Sequence, residues 1–277
     1  MSAISENLFN TFQDCRFNHH VGFVALGILQ DTADPDSESG YNRYHKYWEG
    51  YALRVARALS NLSDLFDKIN HARIAMKNFP NGEELRRHGI TENDHIRYHV
   101  EVFCVRTRSV EDLSLHLVNQ TFDLGLPERD VNARLVKEMR QVSGTNTEDA
   151  LNSLKGVTNE YGGERNNIVH ARSHQGERLQ DIEMIAAAKS LTTKYDSLDN
   201  DHLSDINLDG VNSGFVLEKD LEFRNTLEDL DNAIGKLCDT LWERYQSEIP
   251  NLPLAKAEKK VREMKAEEKG ATGSGDN

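Results

Sequence analysis

The residues best suited to chemistry lie in the short run 165–170, which reads Arg-Asn-Asn-Ile-Val-His. If this run is helical, Asn166 and His170 are four residues apart and share one face. Arg165 lies about 100° round the helix, but its long side chain can swing to the same side. The local charge is made positive by three further residues, Arg172, His174 and Arg178. The run therefore offers a cation, an amide and an imidazole in one small volume.

These side-chain types are the ones needed to cleave RNA without a metal. An imidazole titrates near neutral pH, so it can take a proton from a ribose 2′-hydroxyl or give one to the leaving 5′-oxygen. An arginine fork binds the phosphate and stabilises the charge that develops on it, and Asn166 can orient the imidazole or the phosphate. The alternative is structural, because an arginine and a histidine at this spacing can simply cap or salt-bridge one helix.

The composition limits the classes of partner and the compartment. The chain has 277 residues and a net charge of −13, which argues against a general electrostatic grip on DNA or on an anionic membrane. Cys15, Cys104 and Cys238 are widely spaced, so we expect neither a disulfide framework nor a thiolate zinc site, and we expect Cys104 and Cys238 to be small buried hydrophobes. The N-terminus lacks the apolar run of a signal peptide, and residues 21–29 are too few to span a membrane. A cytoplasmic protein without a membrane partner is expected.

The elements that must position the run are helices, because apolar residues recur at intervals of three and four and strand-like alternation is missing. Thr145 and Glu148 have the spacing of a capping box, and Gly162-Gly163 should weaken or kink the helix before the run. We expect a short helix, an apolar turn at 21–29 and an acidic loop at 31–40 near the N-terminus. The spacing then predicts helices or apolar helical stripes at about 44–69, 92–123, 130–142, 145–161, 177–195 and 227–245, with a polar loop at 196–214.

Two possible metal sites are weaker than the run. Residues 205–210 match the first half of a calcium loop, but the twelfth position, which needs a bidentate carboxylate, is Val216. His95 and His99 would share a helix face and could bind a metal, but no third ligand is evident. A plain polar loop and surface histidines are the favoured interpretations, and we expect no metal and no cofactor.

Arg165, Asn166 and His170 resemble the signature of the HEPN superfamily (higher eukaryote and prokaryote nucleotide-binding domains). That signature has an arginine, usually a polar residue next, and a histidine after four to six intervening residues. The resemblance covers roughly residues 41–247 and looks like stand-alone prokaryotic HEPN proteins, with the motif late in a second amphipathic helix. A turn at residues 124–126 separates that helix from a long one bearing Tyr98, His99, Val100, Glu101, Arg106, Arg108, Asp112 and Asn119.

The resemblance implies an all-α, up-and-down helical bundle with extra N-terminal and C-terminal helices. Residues 1–40 would form an N-terminal helix and acidic loop, residues 41–247 the HEPN-like bundle, and residues 248–277 a charged, largely disordered tail. HEPN domains are commonly dimeric, and two motifs face each other to form a composite RNA-cleaving groove. The implied partners are therefore RNA, a second copy of the chain and, for members that act as toxins or defence effectors, an antitoxin or regulatory protein.

The resemblance also assigns roles to residues. Arg165 and His170 would be catalytic with Asn166 in support, and Glu101 and Asp112 would be partners that contact these groups rather than the substrate. Independently of the resemblance, the positive charge of Arg172 and His174 makes them candidates for binding the substrate. Toxins that are silenced by nucleotidyl modification carry a tyrosine two residues after the histidine, where this chain has Arg172, so that regulation is not expected. Some HEPN proteins have lost cleavage, and a non-catalytic binding or dimerisation module therefore stays open as the alternative.

Overall fold

The structure is a computed structural model that describes residues 10–33, 47–79, 85, 87–171, 177–194 and 206–249. All regular structure in these residues is helical, and no strand occurs among them, which confirms the all-α fold class. The helices are α1 (Asn10–Gln13), α2 (Arg16–Ala33), α3 (Tyr47–Met76), α4 (Glu92–Thr121), α5 (Ala133–Glu138), α6 (Asn146–Asn159), α7 (Gly162–Ala171), α8 (Glu177–Lys194) and α9 (Leu208–Glu248), with a 3₁₀ turn at Glu128–Asp130. No helix in these ranges combines the length and the apolarity that crossing a membrane requires.

The predicted apolar stripe of α3 is the face that this helix buries. Its spacing of three and four residues places the side chains on one side of the helix. Each large apolar side chain that is fully buried contributes about 1.5–3 kcal/mol, so the stripe holds α3 in place. The stripe residues that are buried are Tyr51, Val55, Leu59, Leu62, Phe66 and Ile69. Two further residues were predicted in the stripe: Trp48 is only half-buried, and Tyr44 lies outside the described residues.

Two sequence predictions near the helix ends are wrong. Residues 21–29 are helical within α2 and do not form a turn, since Val21, Val24 and Ile28 repeat at helical spacing and are buried. The polar loop predicted to reach residue 214 ends at Asn207, whose Oδ1 accepts a hydrogen bond from the Gly210 N–H at 3.1 Å. This side-chain cap starts α9 at residue 208, so residues 207–210 form a helix start and not half of a calcium loop.

The starts of α4 and α6 show how local capping sets the helix boundaries. Thr91 and Asp94 form a reciprocal capping box, in which each side chain accepts a hydrogen bond from the other's backbone N–H, at 3.1 and 2.9 Å. Glu148 instead accepts a hydrogen bond from Gly144 N–H at 2.7 Å, while Thr145 donates to the Val142 carbonyl. Helix α6 thus begins directly after Thr145, as the spacing predicts, through different hydrogen bonds. Helix α5, predicted at 130–142, is shorter.

The described chain divides into two compact units. The first comprises Met1–Ser63, Glu111–Leu154 and Asp231–Asn277. In its core, the ring of Tyr245 lies edge-on to Phe17 and stacks on Tyr51, with centroids 5.6 and 5.9 Å apart. The predicted acidic loop beyond residue 33 and the predicted tail from residue 250 lie outside the described residues.

The second unit comprises Asp64–Val110 and Lys155–Leu230 and contains the run 165–170. Its aromatic core is built on Phe103, whose ring stacks on Phe223 with centroids 3.6 Å apart. Within this unit the buried Arg73 guanidinium donates to the Asp220 carboxylate at 2.8 Å. The helices that position the run are therefore held by a packed core of aromatic rings.

Candidate functional site

The run 165–170 lies on its own short helix, α7, which extends from Gly162 to Ala171. Helix α6 ends at Asn159 and α7 begins at Gly162, so the break falls at residues 160–161, directly before the two glycines that were predicted to weaken or kink the helix. The glycines themselves lie in the first turn of α7, where each costs about 0.5–1 kcal/mol relative to alanine. The prediction that the motif lies late in an amphipathic helix is wrong. None of residues 162–170 is buried. The hydrogen bond at the start of α7 runs from the Arg165 N–H to the Tyr161 carbonyl, at 2.9 Å.

Tyr161 fixes the chain directly before α7. Its ring lies edge-on to Phe103 with centroids 5.7 Å apart. Its hydroxyl hydrogen-bonds with Thr226 Oγ1 at 2.7 Å and donates weakly to Glu222 at 3.4 Å. Burial raises the pKa of Tyr161 well above its usual range, so the hydroxyl stays protonated. The start of α7 is thereby attached to α9.

Glu164 attaches the first turn of α7 to α4. The Cys104 thiol donates a hydrogen bond to Glu164 Oε2, and the two atoms are 2.9 Å apart. Cys104 is completely buried, and burial together with the neighbouring carboxylate raises the pKa of its thiol. The thiol therefore keeps its proton and acts as a donor. The sequence predicted Cys104 only as a buried hydrophobe and missed Glu164, although Glu164 directly precedes Arg165.

The side chains of the run point in two directions. Arg165 and Ile168 are half-buried, whereas Asn166 and His170 are exposed. At 3.6 residues per turn, Arg165 and His170 differ by about 140° in direction. Neither the Arg165 guanidinium nor the His170 imidazole has a hydrogen bond or ion pair with another residue that the structure describes. One copy of α7 thus presents an amide and an imidazole on its exposed face, while Arg165 leaves the helix from a less exposed side.

Comparison with known proteins identifies the domain. A family model described as Cthe2314-like HEPN matches residues 51–247. The chain belongs to this HEPN family. The comparisons with curated proteins and with solved structures each found no match. The match covers the run 165–170 and identifies the helical domain that carries it, while the roles of individual residues in the run stay predictions.

The other predicted site residues of the HEPN domain are scattered. Glu101 is half-buried on α4 in the second unit, and Asp112 is exposed on the part of α4 that belongs to the first unit. Arg172 and His174 lie outside the described residues. Arg178 forms an ion pair with Glu218, so part of the positive charge that the sequence places near the run is neutralised.

His95 and His99 of α4, predicted as surface histidines, are partly exposed and contact each other. The rings of His95 and His99 lie edge to face with centroids 4.4 Å apart, and both side chains are half-buried. His95 Nε2 lies 2.8 Å from the Ala75 carbonyl oxygen near the end of α3. Burial lowers the pKa of His99, and the neighbouring His95 imidazole lowers it further by a smaller amount. The described residues contain no group of three or more metal-ligand side chains placed to hold an ion.

Proposed function

We propose that this HEPN protein is a metal-independent endoribonuclease that acts as a homodimer. The observation that carries the proposal is the exposed face of α7, where Asn166 and His170 lie one turn apart. The helix that bears them is short, but its start is fixed through Tyr161 and Glu164. Proton transfer in a transition state requires an imidazole that the reacting hydroxyl can reach, and an exposed position allows this.

The proposed reaction is attack of a ribose 2′-hydroxyl on the adjacent phosphorus. One imidazole removes the hydroxyl proton as the new P–O bond forms, and the bond to the 5′-oxygen breaks. A second imidazole or a water molecule protonates that oxygen, so the products carry a 2′,3′-cyclic phosphate and a 5′-hydroxyl. The Arg165 guanidinium neutralises the charge on the phosphoryl oxygens in the transition state.

The geometry of α7 favours a site shared between two copies. Arg165 and His170 differ in direction by about 140° within one helix, so one copy brings both groups to the same phosphate only if the long Arg165 side chain swings round the helix. Two copies related by a two-fold axis bring two imidazoles and two guanidinium groups to one groove. In this arrangement the arginine of one copy serves with the histidine of the other.

The test is cleavage of a structured RNA in the presence of a chelator. We expect the His170→Ala variant to cleave at least about 100-fold more slowly than the wild type, since general acid–base catalysis contributes factors of this size. Arg165→Lys keeps the charge but loses the bidentate fork and should also be impaired. His71→Ala and Arg57→Ala, at exposed positions on α3, are the matched controls. Equal rates for the wild type and His170→Ala would refute the proposal.

A mixing experiment tests the shared site. Arg165→Ala and His170→Ala subunits are each inactive alone under this proposal. When the two are unfolded together and refolded, heterodimers contain one intact arginine and one intact histidine on different copies. Recovery of cleavage supports a site formed between copies, whereas activity that stays at the level of the single variants opposes it.

A role as a toxin or defence effector, with an antitoxin or regulatory protein as partner, is part of the same proposal. It rests on the HEPN family membership and on the proposed cleavage of RNA. Expression of the wild type should slow the growth of the host cell, and His170→Ala should relieve this effect. Growth that is slowed equally by both forms would separate toxicity from RNA cleavage.

The second candidate function is a non-catalytic helical module that binds a protein partner. Leu217 and Leu221 favour it, because they lie one turn apart on α9 and are 68% and 61% exposed. In this case Leu217→Glu with Leu221→Glu abolishes partner binding, while Arg165→Ala and His170→Ala leave it intact. Chelator-resistant cleavage that depends on His170 would decide against the module as the sole function.

A further inference from the structure

The N-terminal segment packs along the last part of α9, and both belong to the first unit. The backbone N–H groups of Thr11 and Phe12 donate to the two carboxylate oxygens of Asp231, at 3.0 and 2.9 Å. One turn further along α9 the N-terminal segment and the helix come so close that a Cβ atom at Gly235 would lie 2.6 Å from Thr11 Cγ2. Beyond them the ring of His20 lies 4.6 Å from that of Trp242.

This packing brings two cysteines together. Asp231, Gly235 and Cys238 are spaced by four and three residues, so they form one face of α9. Cys15 lies in sequence between Thr11, which meets Gly235, and His20, which meets Trp242, so its sulfur comes to the same face beside Cys238. Cys238 is completely buried, whereas Cys15 is half-buried.

The two sulfurs are chemically different. Cys15 directly precedes α2, and the Asn18 N–H in the first turn of that helix donates to its Sγ at 3.4 Å. The hydrogen bond from Cys238, aided by that from Asn18, lowers the pKa of Cys15 against the opposing effect of burial. The same contact and burial raise the pKa of Cys238. Cys15 is the less buried of the two and has the lowered pKa, so it is the sulfur that an oxidant reaches first, and Cys238 is the buried partner beside it.

We propose that Cys15 and Cys238 are a peroxide-reactive pair that forms a reversible disulfide between the N-terminal helices and α9. The Cys15 thiolate attacks one oxygen of hydrogen peroxide, the O–O bond breaks, and Cys15 becomes a sulfenic acid as hydroxide leaves. The Cys238 sulfur then attacks the Cys15 sulfur, and the sulfenic hydroxyl leaves with the thiol proton as water. Two thiols and one peroxide give one disulfide and two waters, once the hydroxide takes up the original Cys15 proton.

The proposal does not depend on RNA cleavage. Cys15 lies before the residues 51–247 that match the HEPN family, and Cys238 lies within them. The disulfide therefore joins the N-terminal helices to the last helix of the HEPN domain. Cys104 provides an internal control, because it is buried in the second unit and its thiol is hydrogen-bonded to Glu164.

The test is peptide mapping of the full chain after brief exposure to a small excess of hydrogen peroxide. Remaining thiols are alkylated in denaturant, and the chain is cut with trypsin without a reductant. We expect residues 1–16 to be linked to residues 237–244, and Cys104 to be alkylated in the peptide 98–106. The count of free thiols falls from the three in the sequence to one, and dithiothreitol restores all three. The oxidised chain should also melt at a higher temperature than the reduced chain.

Variants separate this pair from general oxidation. Cys104→Ser should still form the link, whereas Cys15→Ser should keep the Cys238 thiol and show no rise in melting temperature with peroxide. The proposal is overturned if the treated wild type keeps three thiols, if Cys15 is oxidised to the sulfinic acid without a link, or if Cys15 joins two chains. Peptide mapping of the wild-type chain alone shows whether the Cys15–Cys238 disulfide forms, so the test still works if one of the variants fails to fold.

Discussion

The buried thiol of Cys104 donates a hydrogen bond to Glu164, the residue that directly precedes Arg165, with 2.9 Å between Sγ and Oε2. The contact joins α4 to the first turn of α7. Because α7 itself buries none of residues 162–170, the helix has little apolar packing of its own to hold it. The direction in which α7 presents the proposed catalytic groups therefore depends on a few anchoring contacts at its start.

Removing the donor at Cys104 should loosen α7. We expect Cys104→Ala to cost about 1 kcal/mol through the lost hydrogen bond, and amide exchange in residues 162–170 to rise roughly fivefold. Cys104→Ser keeps a donor at the same position and should show a smaller rise. Hydrogen exchange followed by mass spectrometry measures both, with α5 as the internal reference. Unchanged exchange in Cys104→Ala would show that the remaining contacts suffice to hold α7.

Asp231 should be the most sensitive charged residue of the N-terminal packing. It is buried and accepts the N–H groups of Thr11 and Phe12, so Asp231→Ala leaves two donors without their acceptor. We expect the free energy of unfolding, from urea denaturation, to fall by about 2–3 kcal/mol. Asp229→Ala, at an exposed position two residues earlier, should change it by less than about 0.5 kcal/mol. Similar values for the two variants would contradict the role of the Asp231 carboxylate.

Position 235 should accept an alanine only if the Thr11 side chain moves or loses its methyl group. The Cβ atom added by Gly235→Ala meets Thr11 Cγ2 at 2.6 Å, so we expect this variant to be destabilised by about 1–3 kcal/mol. Thr11→Ser removes that methyl group and keeps the backbone N–H that binds Asp231. In the Thr11→Ser background Gly235→Ala should be neutral or stabilising, because alanine favours a helix over glycine by about 1 kcal/mol. A double-mutant cycle without coupling between the two sites would disprove the close approach.

His99 should make stability depend on pH. Burial and the His95 imidazole lower its pKa in the folded state, whereas a histidine side chain in the unfolded chain has a pKa of about 6.5. Below about pH 6.5 the unfolded state therefore binds more protons, and stability falls until the lower folded pKa is passed. The urea concentration at the unfolding midpoint should decrease between about pH 7.5 and about pH 5.5, and this decrease should be smaller for His99→Gln than for the wild type. His71→Gln, at an exposed position, is the control and should behave like the wild type.

Local spacing was sufficient to predict the helical class and several helix faces. The stripe through Val55, Leu62 and Ile69 is buried as its period predicts, because a helix turns through a fixed angle per residue and needs no distant partner to define its faces. The break before Arg165 was predictable for a similar reason, since two adjacent glycines weaken any helix. The helical nature of residues 21–29 was not, because a short apolar run does not by itself distinguish a helix from a buried turn.

The sequence alone thus determined an all-α chain and the position of the run 165–170 directly after a helix break. Only the tertiary structure decided that Cys104 holds Glu164, and that Cys15 lies against Cys238. The physical reason is that a hydrogen bond between residues far apart in the chain leaves no periodic signal in either segment. Such partners are selected by which helix faces pack together, and the buried polar groups then pair with whatever that packing brings within reach.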